Sequence, residues 1–120
     1  MPIKRRKVER LNQVYLWLVD NFPSPYPTNL ILRGDKDRDS RKFEGWVELN
    51  GRSLDISINM RYPKYVLIDT LLHEMAHACT WVNKRMEPHV HEHSDEWGLV
   101  YARIYRAFND DGGFGDSGNY

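Results

Sequence analysis

Residues 54–78 read LDISINMRYPKYVLIDTLLHEMAHA, and two periodicities meet within them. Leu54, Ile56, Ile58 and Met60 alternate with polar neighbours, which is the pattern of a strand with one apolar face. Beyond Pro63 the period changes. Val66, Leu67, Leu71, Leu72, Met75, Ala76 and Cys79 recur at helical spacing and describe a well-buried helix.

That helix carries His73, Glu74 and His77 in the order His-Glu-x-x-His. Positions i and i+4 of a helix lie about 40° apart around its axis, so both imidazoles project from one face and can hold one metal ion. Glu74 cannot point along the same line. Its carboxylate is left beside the ion, where it can act on bound water. Two neutral nitrogens and a non-ligating base are the parts of a zinc hydrolase, and burying three such polar groups without a partner would be costly.

A catalytic zinc site usually takes a third protein ligand. The remaining histidines, His89, His91 and His93, all fall between Glu87 and Trp97. Residues 94–108 then read as a helix, with Trp97, Val100 or Tyr101, Ile104 and Phe108 on one stripe and Asp95 and Glu96 in the first turn, where negative charge suits the helix dipole. His93 stands at that helix start, and packing there fixes its direction, so it is the expected third ligand. His89 and His91 follow Pro88 in a loop. They read as solvated side chains, with a second, weaker metal site as the alternative.

Residues 54–78 together with His93-Ser-Asp-Glu-Trp97 resemble the SprT-like metalloproteases, which include the Spartan proteases of DNA–protein crosslink repair. In that family a strand runs into the His-Glu-x-x-His helix, and a third His opens the next helix as His-Gly-x-x-Phe/Trp; here Ser94 stands where the family usually has Gly. The resemblance covers residues 8 to 110. It implies a zincin-like zinc endopeptidase domain over residues 1–110, with Zn²⁺ on His73, His77 and His93, Glu74 as general base, and protein substrates held on DNA. An oxyanion donor beyond zinc is expected, with Tyr62, Tyr101 and Arg103 as open candidates. The rival functions are a zinc-bearing binding or adaptor module and a regulatory peptidase that cuts one repressor; Glu74 argues against the first, since a structural site has no use for a base.

A chain of 120 residues is one domain large enough for a single core. Its one cysteine, Cys79, excludes a disulfide framework and a four-cysteine zinc ribbon. No apolar run is long enough for a membrane span, and the start MPIKRRK lacks a signal peptide's apolar segment, so a cytoplasmic protein is expected. Seventeen basic and seventeen acidic residues cancel, yet Lys4, Arg5, Arg6, Lys7 and Arg10 gather at the amino end. That run is a candidate contact for DNA or an ordinary solvated helix start. It leads into Val8, Leu11, Val14/Tyr15 and Leu18, which predict a helix ending near Asn21, before the Pro-rich turn at 23–27.

Strands are expected at 30–33, 43–49 and 53–59, the last two joined across Asn50-Gly51, with 34–42 as a polar loop. The fold class is therefore α+β: a small antiparallel or mixed three-stranded sheet, an amino-terminal helix, the His-Glu-x-x-His helix and a carboxy-terminal helix. Zinc peptidases commonly pair an extended substrate with the strand nearest the metal helix, a role the resemblance gives to 53–60 or to its hairpin partner. Residues 111–120 are a glycine-rich tail expected to be flexible. Trp81 and Trp97 fall near the metal motifs and are candidate substrate contacts.

Overall fold

The computed structural model describes residues 2–34, 43–81 and 95–110, with side chains from residue 5 onward. The described elements run α1 (Pro2–Asn21), β1 (Thr28–Arg33), β2 (Gly45–Asn50), β3 (Ser53–Asn59), α2 (Lys64–Cys79) and α3 (Asp95–Asp110). The architecture is α+β as the pattern requires, and α1 ends at Asn21 as its apolar stripe predicts. The expected loop at 34–42 and tail at 111–120 lie outside the described residues, save Gly34.

The described sheet is mixed, in the order β1-β3-β2, with β1 parallel and β2 antiparallel to β3. This settles one alternative in the sequence reading. β3 is hydrogen-bonded on both sides, so it has no edge to offer an extended peptide; its hairpin partner β2 has one that is unpaired among the described residues. The hairpin turn is shifted by one residue from expectation. Asn50 pairs with Ser53, leaving Gly51 and Arg52 as the loop, and Gly51 takes φ 66°, the sign that a II′ turn demands at its first central position.

Leu54, Ile56 and Ile58 are fully buried on the inner face of β3, in one core with Leu11, Val14 and Leu18 of α1, with Leu67, Leu71 and Met75 of α2, and with Ile104 and Phe108 of α3. Each such side chain contributes about 1.5–3 kcal/mol of transfer free energy. The outer face of β3 is buried as well, although it is polar. Asp55 accepts hydrogen bonds from Asn29 Nδ2 (3.2 Å) and Asn50 Nδ2 (3.0 Å), and Arg33 Nε donates to Ser57 Oγ (3.3 Å). Cross-strand partners thus satisfy groups that would otherwise be costly to cover.

The chain leaves β3 at Asn59, turns through Tyr62 and Pro63, and enters α2, which packs on β3 and β2. This short connection lays the helix carrying His73, Glu74 and His77 over the sheet, with Thr70 and Glu74 against Gly45 at the start of β2. None of the described helices is long and apolar enough to cross a membrane.

Candidate active site

His73 and His77 stand one turn apart on α2 with ring centroids 5.0 Å apart and planes at 67°. Their surroundings come from α3. Trp97 lies flat on His77 (5.2 Å, 27°) and edge-on to His73 (4.9 Å, 63°), and its Nε1–H donates to the His73 carbonyl at 3.4 Å. Tyr101, one turn further along α3, stacks on Trp97 (5.0 Å, 19°), meets the His73 ring at 5.7 Å, and donates from its hydroxyl to Asp69 Oδ1 at 3.1 Å. The two helices therefore run antiparallel along this seam: Asp69, His73 and His77 on one side face Tyr101 and Trp97 on the other. Burial raises the Tyr101 hydroxyl to about 12, helped by the charge and hydrogen bond of Asp69, so it stays a donor at neutral pH.

Glu74 leaves α2 on the sheet side. It is 92% buried, by its residual exposure of 8%, with one carboxylate oxygen 3.9 Å from His73 Nε2. Burial pushes its pKa from 4.5 up to about 7. That value suits a group that must take and return a proton near neutrality.

Both His73 and Glu74 open onto a cleft of about 480 Å³. Asp69 and Thr70 continue the α2 wall, Phe43, Glu44 and Gly45 form the facing wall at the start of β2, and Tyr62 also lines the space. The sequence reading offered the hairpin strand 43–49 as one of two substrate-pairing alternatives and Tyr62 as a candidate, but it did not name the other wall residues. Asp69 and Thr70 were within its reach, since they lie four residues before His73 and Glu74 and so share their helix stripes. The choice of β2 over β3 stayed open because only the sheet order brings residues 43–45 beside residues 70–74.

Two imidazoles on one helix face, with a buried carboxylate beside them, fit a zinc-type ion by donor chemistry and spacing. The third expected ligand, His93, lies outside the described residues, as do His89 and His91. Among the described residues no three His, Cys, Asp or Glu side chains form a metal-binding group. Of the aromatic candidates, Trp81 is only 1% exposed and belongs to the core, whereas Trp97 covers the histidines. Arg103 is exposed on α3; of the oxyanion candidates Tyr62 lines the cleft, while Tyr101 meets it through its hydrogen bond to Asp69.

At the amino end, Arg5 and Arg6 are exposed while Lys7 and Arg10 are half-buried. Lys7 Nζ donates to the Tyr62 carbonyl at 3.3 Å, so this lysine helps tie α1 to the turn before α2.

No curated protein and no solved structure matches the chain. The family model described as the SprT-like family matches residues 35–114, which takes in β2, β3, α2 and α3 and leaves α1 and β1 outside, a narrower span than the resemblance from residue 8. With two thirds of its length under that match, and with the His-Glu-x-x-His helix set against the sheet within it, the chain belongs to the SprT-like family.

Proposed function

We propose that the protein is a zinc-dependent endopeptidase of SprT-like type, with His73, His77 and His93 as metal ligands and Glu74 as general base. The observation that carries this reading is Glu74 itself: a carboxylate held beside a candidate ligand, dehydrated enough to titrate near 7, and opening onto a cleft. A purely structural metal site has no use for such a group. Zinc, when bound, supplies a Lewis acid that makes water nucleophilic at neutral pH and polarises a peptide carbonyl. Glu74 accepts the proton of the attacking water and returns it to the leaving amine. The edge of β2, which is unpaired among the described residues, aligns an extended substrate along the facing wall.

The proposal of substrates associated with DNA rests on the family resemblance rather than on the site. The basic residues Lys4, Arg5, Arg6, Lys7 and Arg10 are the proposed phosphate contacts, and the exposure of Arg5 and Arg6 is compatible with that role.

Glu74→Gln tests the chemistry. It preserves size and removes the proton acceptor, so zinc content should stay near one per chain while turnover falls by about 10² to 10⁴. An unchanged rate would favour a binding module over a peptidase.

A further inference from the structure

Gly45 opens β2 opposite Ile58, and its φ is not positive, so backbone conformation does not call for glycine there. Space does. A Cβ on Gly45 would lie 2.6 Å from Thr70 Cγ2, 2.8 Å from the Ser57 carbonyl oxygen and 3.4 Å from Glu74 Cγ. The Ser57 oxygen belongs to the backbone of the central strand and cannot swing aside, so any side chain must lever the start of β2 away from β3, α2 or both. The contrast with other described glycines is sharp, since a Cβ on Gly34, Gly51 or Gly98 would meet nothing within 4 Å. Bare backbone at residue 45 is what lets the edge strand close onto the helix beside Glu74.

The same wall is tied from a second direction. Asn59, fully buried at the end of β3, donates from Nδ2 to the Phe43 carbonyl (3.2 Å) and accepts at Oδ1 from the Arg61 N–H (3.1 Å), while its own backbone N–H donates to the Glu44 carbonyl (2.8 Å). One side chain thereby joins the β2 wall of the cleft to the turn that launches α2.

We infer that Gly45 and Asn59 are positioning residues that fix the gap between the edge of β2 and the Glu74 carboxylate, and with it the placement of a substrate backbone for attack. The inference rests on the peptidase reading above. Its physical basis is that a displacement of about 1 Å between a bound substrate and the reacting groups can cost on the order of 10² in rate. Neither residue touches the reacting atoms; each acts through the strand it holds.

The test uses the zinc-loaded protein and two substrates: an extended peptide of about eight residues, long enough to run along β2, and a short chromogenic reporter with no flanking residues. Gly45→Ala and Asn59→Asp, which keeps the acceptor for Arg61 but loses the donor to Phe43, should each lower kcat/KM for the long peptide by about 10- to 100-fold. The short reporter should change much less, so the ratio of the two falls. Thr70→Ser, which removes the nearest clashing methyl, should recover part of the ratio in the Gly45→Ala background. As a readout without turnover, the uncleaved long peptide should slow amide exchange over residues 45–50 in Glu74→Gln protein, and its affinity there should drop about tenfold when either substitution is added. Lower melting temperatures with an unchanged long-to-short ratio and unchanged peptide affinity would make both residues mere packing and overturn the inference while leaving the peptidase intact. Protein that cleaves neither substrate and gains no protection at 45–50 would overturn both.

Discussion

Trp97 lies flat against His77, ring centroid to ring centroid at 5.2 Å and 27°, while its Nε1–H reaches back to the carbonyl of His73. One indole thus packs against both imidazoles of the His-Glu-x-x-His turn. Ring orientation matters in such a site, because a ligating nitrogen that wanders must be re-ordered each time the ion binds. Trp97→Ala should weaken zinc affinity by about 10- to 100-fold, the range typical for groups that orient metal ligands. Trp97→Phe, which keeps a ring on His77, should lose far less. Competition against a chromogenic chelator measures both, and equal affinity in wild type and Trp97→Ala would remove any orienting role.

The proposed metal ligands are open to ranking. A catalytic zinc on His73 and His77 would take a third donor, and α3 starts at Asp95, two residues after His93 in the sequence. His73→Ala, His77→Ala and His93→Ala should each abolish tight zinc binding, and X-ray absorption should give Zn–N distances of about 2.0–2.1 Å. His89→Ala and His91→Ala should be mild. Metal analysis that finds His91 essential and His93 dispensable would reassign the third ligand.

The strand–helix junction at 54–78 was legible in the sequence because both its periodicities have a core to bury, and the same is true of the stripe Leu11, Val14, Leu18 in α1. His73, Glu74 and His77 stood out for a different reason: their spacing is that of the proposed metal site, and the structure sets His73 beside His77 and Glu74 on one turn of α2. What the sequence could not supply was the order of the strands. Nothing local in residues 28–59 tells whether β1 or β2 flanks the site, or that β3 inserts between them, since parallel pairing of β1 with β3 is a long-range choice. The cleft wall at Phe43, Glu44 and Gly45 depended on that choice, so the hairpin strand remained one of two alternatives. The polar outer face of β3 was also misleading, because Asp55, Ser57 and Asn59 look solvent-facing by alternation and are instead covered by their cross-strand partners.

Burial of Glu74 has a consequence for the metal-free protein. Its folded pKa of about 7 lies above the ordinary 4.5, so the native state holds the proton more tightly than the unfolded chain. The stabilisation this gives is fully present below pH 4.5 and is lost as pH rises through 7. Chelator-treated protein should therefore lose up to about 3 kcal/mol from this group between pH 5 and 8. Glu74→Gln should remove that component, leaving only the slope due to other groups. Urea unfolding of both proteins across the range gives the difference directly; parallel curves would mean that Glu74 is better solvated than its 8% exposure implies.

Nucleic-acid binding makes the last and most separable claim, because α1 lies outside the matched family region and has to be judged on its own residues. Arg5 and Arg6 are exposed, whereas Lys7 already donates to the Tyr62 carbonyl, so removing Lys7 would disturb the turn into α2 as well as the charge. The cleaner variant is therefore Arg5→Ala with Arg6→Ala. If both contact phosphates, the slope of log affinity against log salt for single-stranded DNA should flatten by about 1.4, at about 0.7 per contact. Hydrolysis of a small DNA-free peptide should be unaffected, since neither arginine lines the cleft. Titration of labelled single-stranded DNA at several salt concentrations reads the slope. Absence of binding at low salt, or a slope indifferent to the double substitution, would leave the basic run as a solvated helix start and the proposed peptidase as one that finds its substrate without DNA.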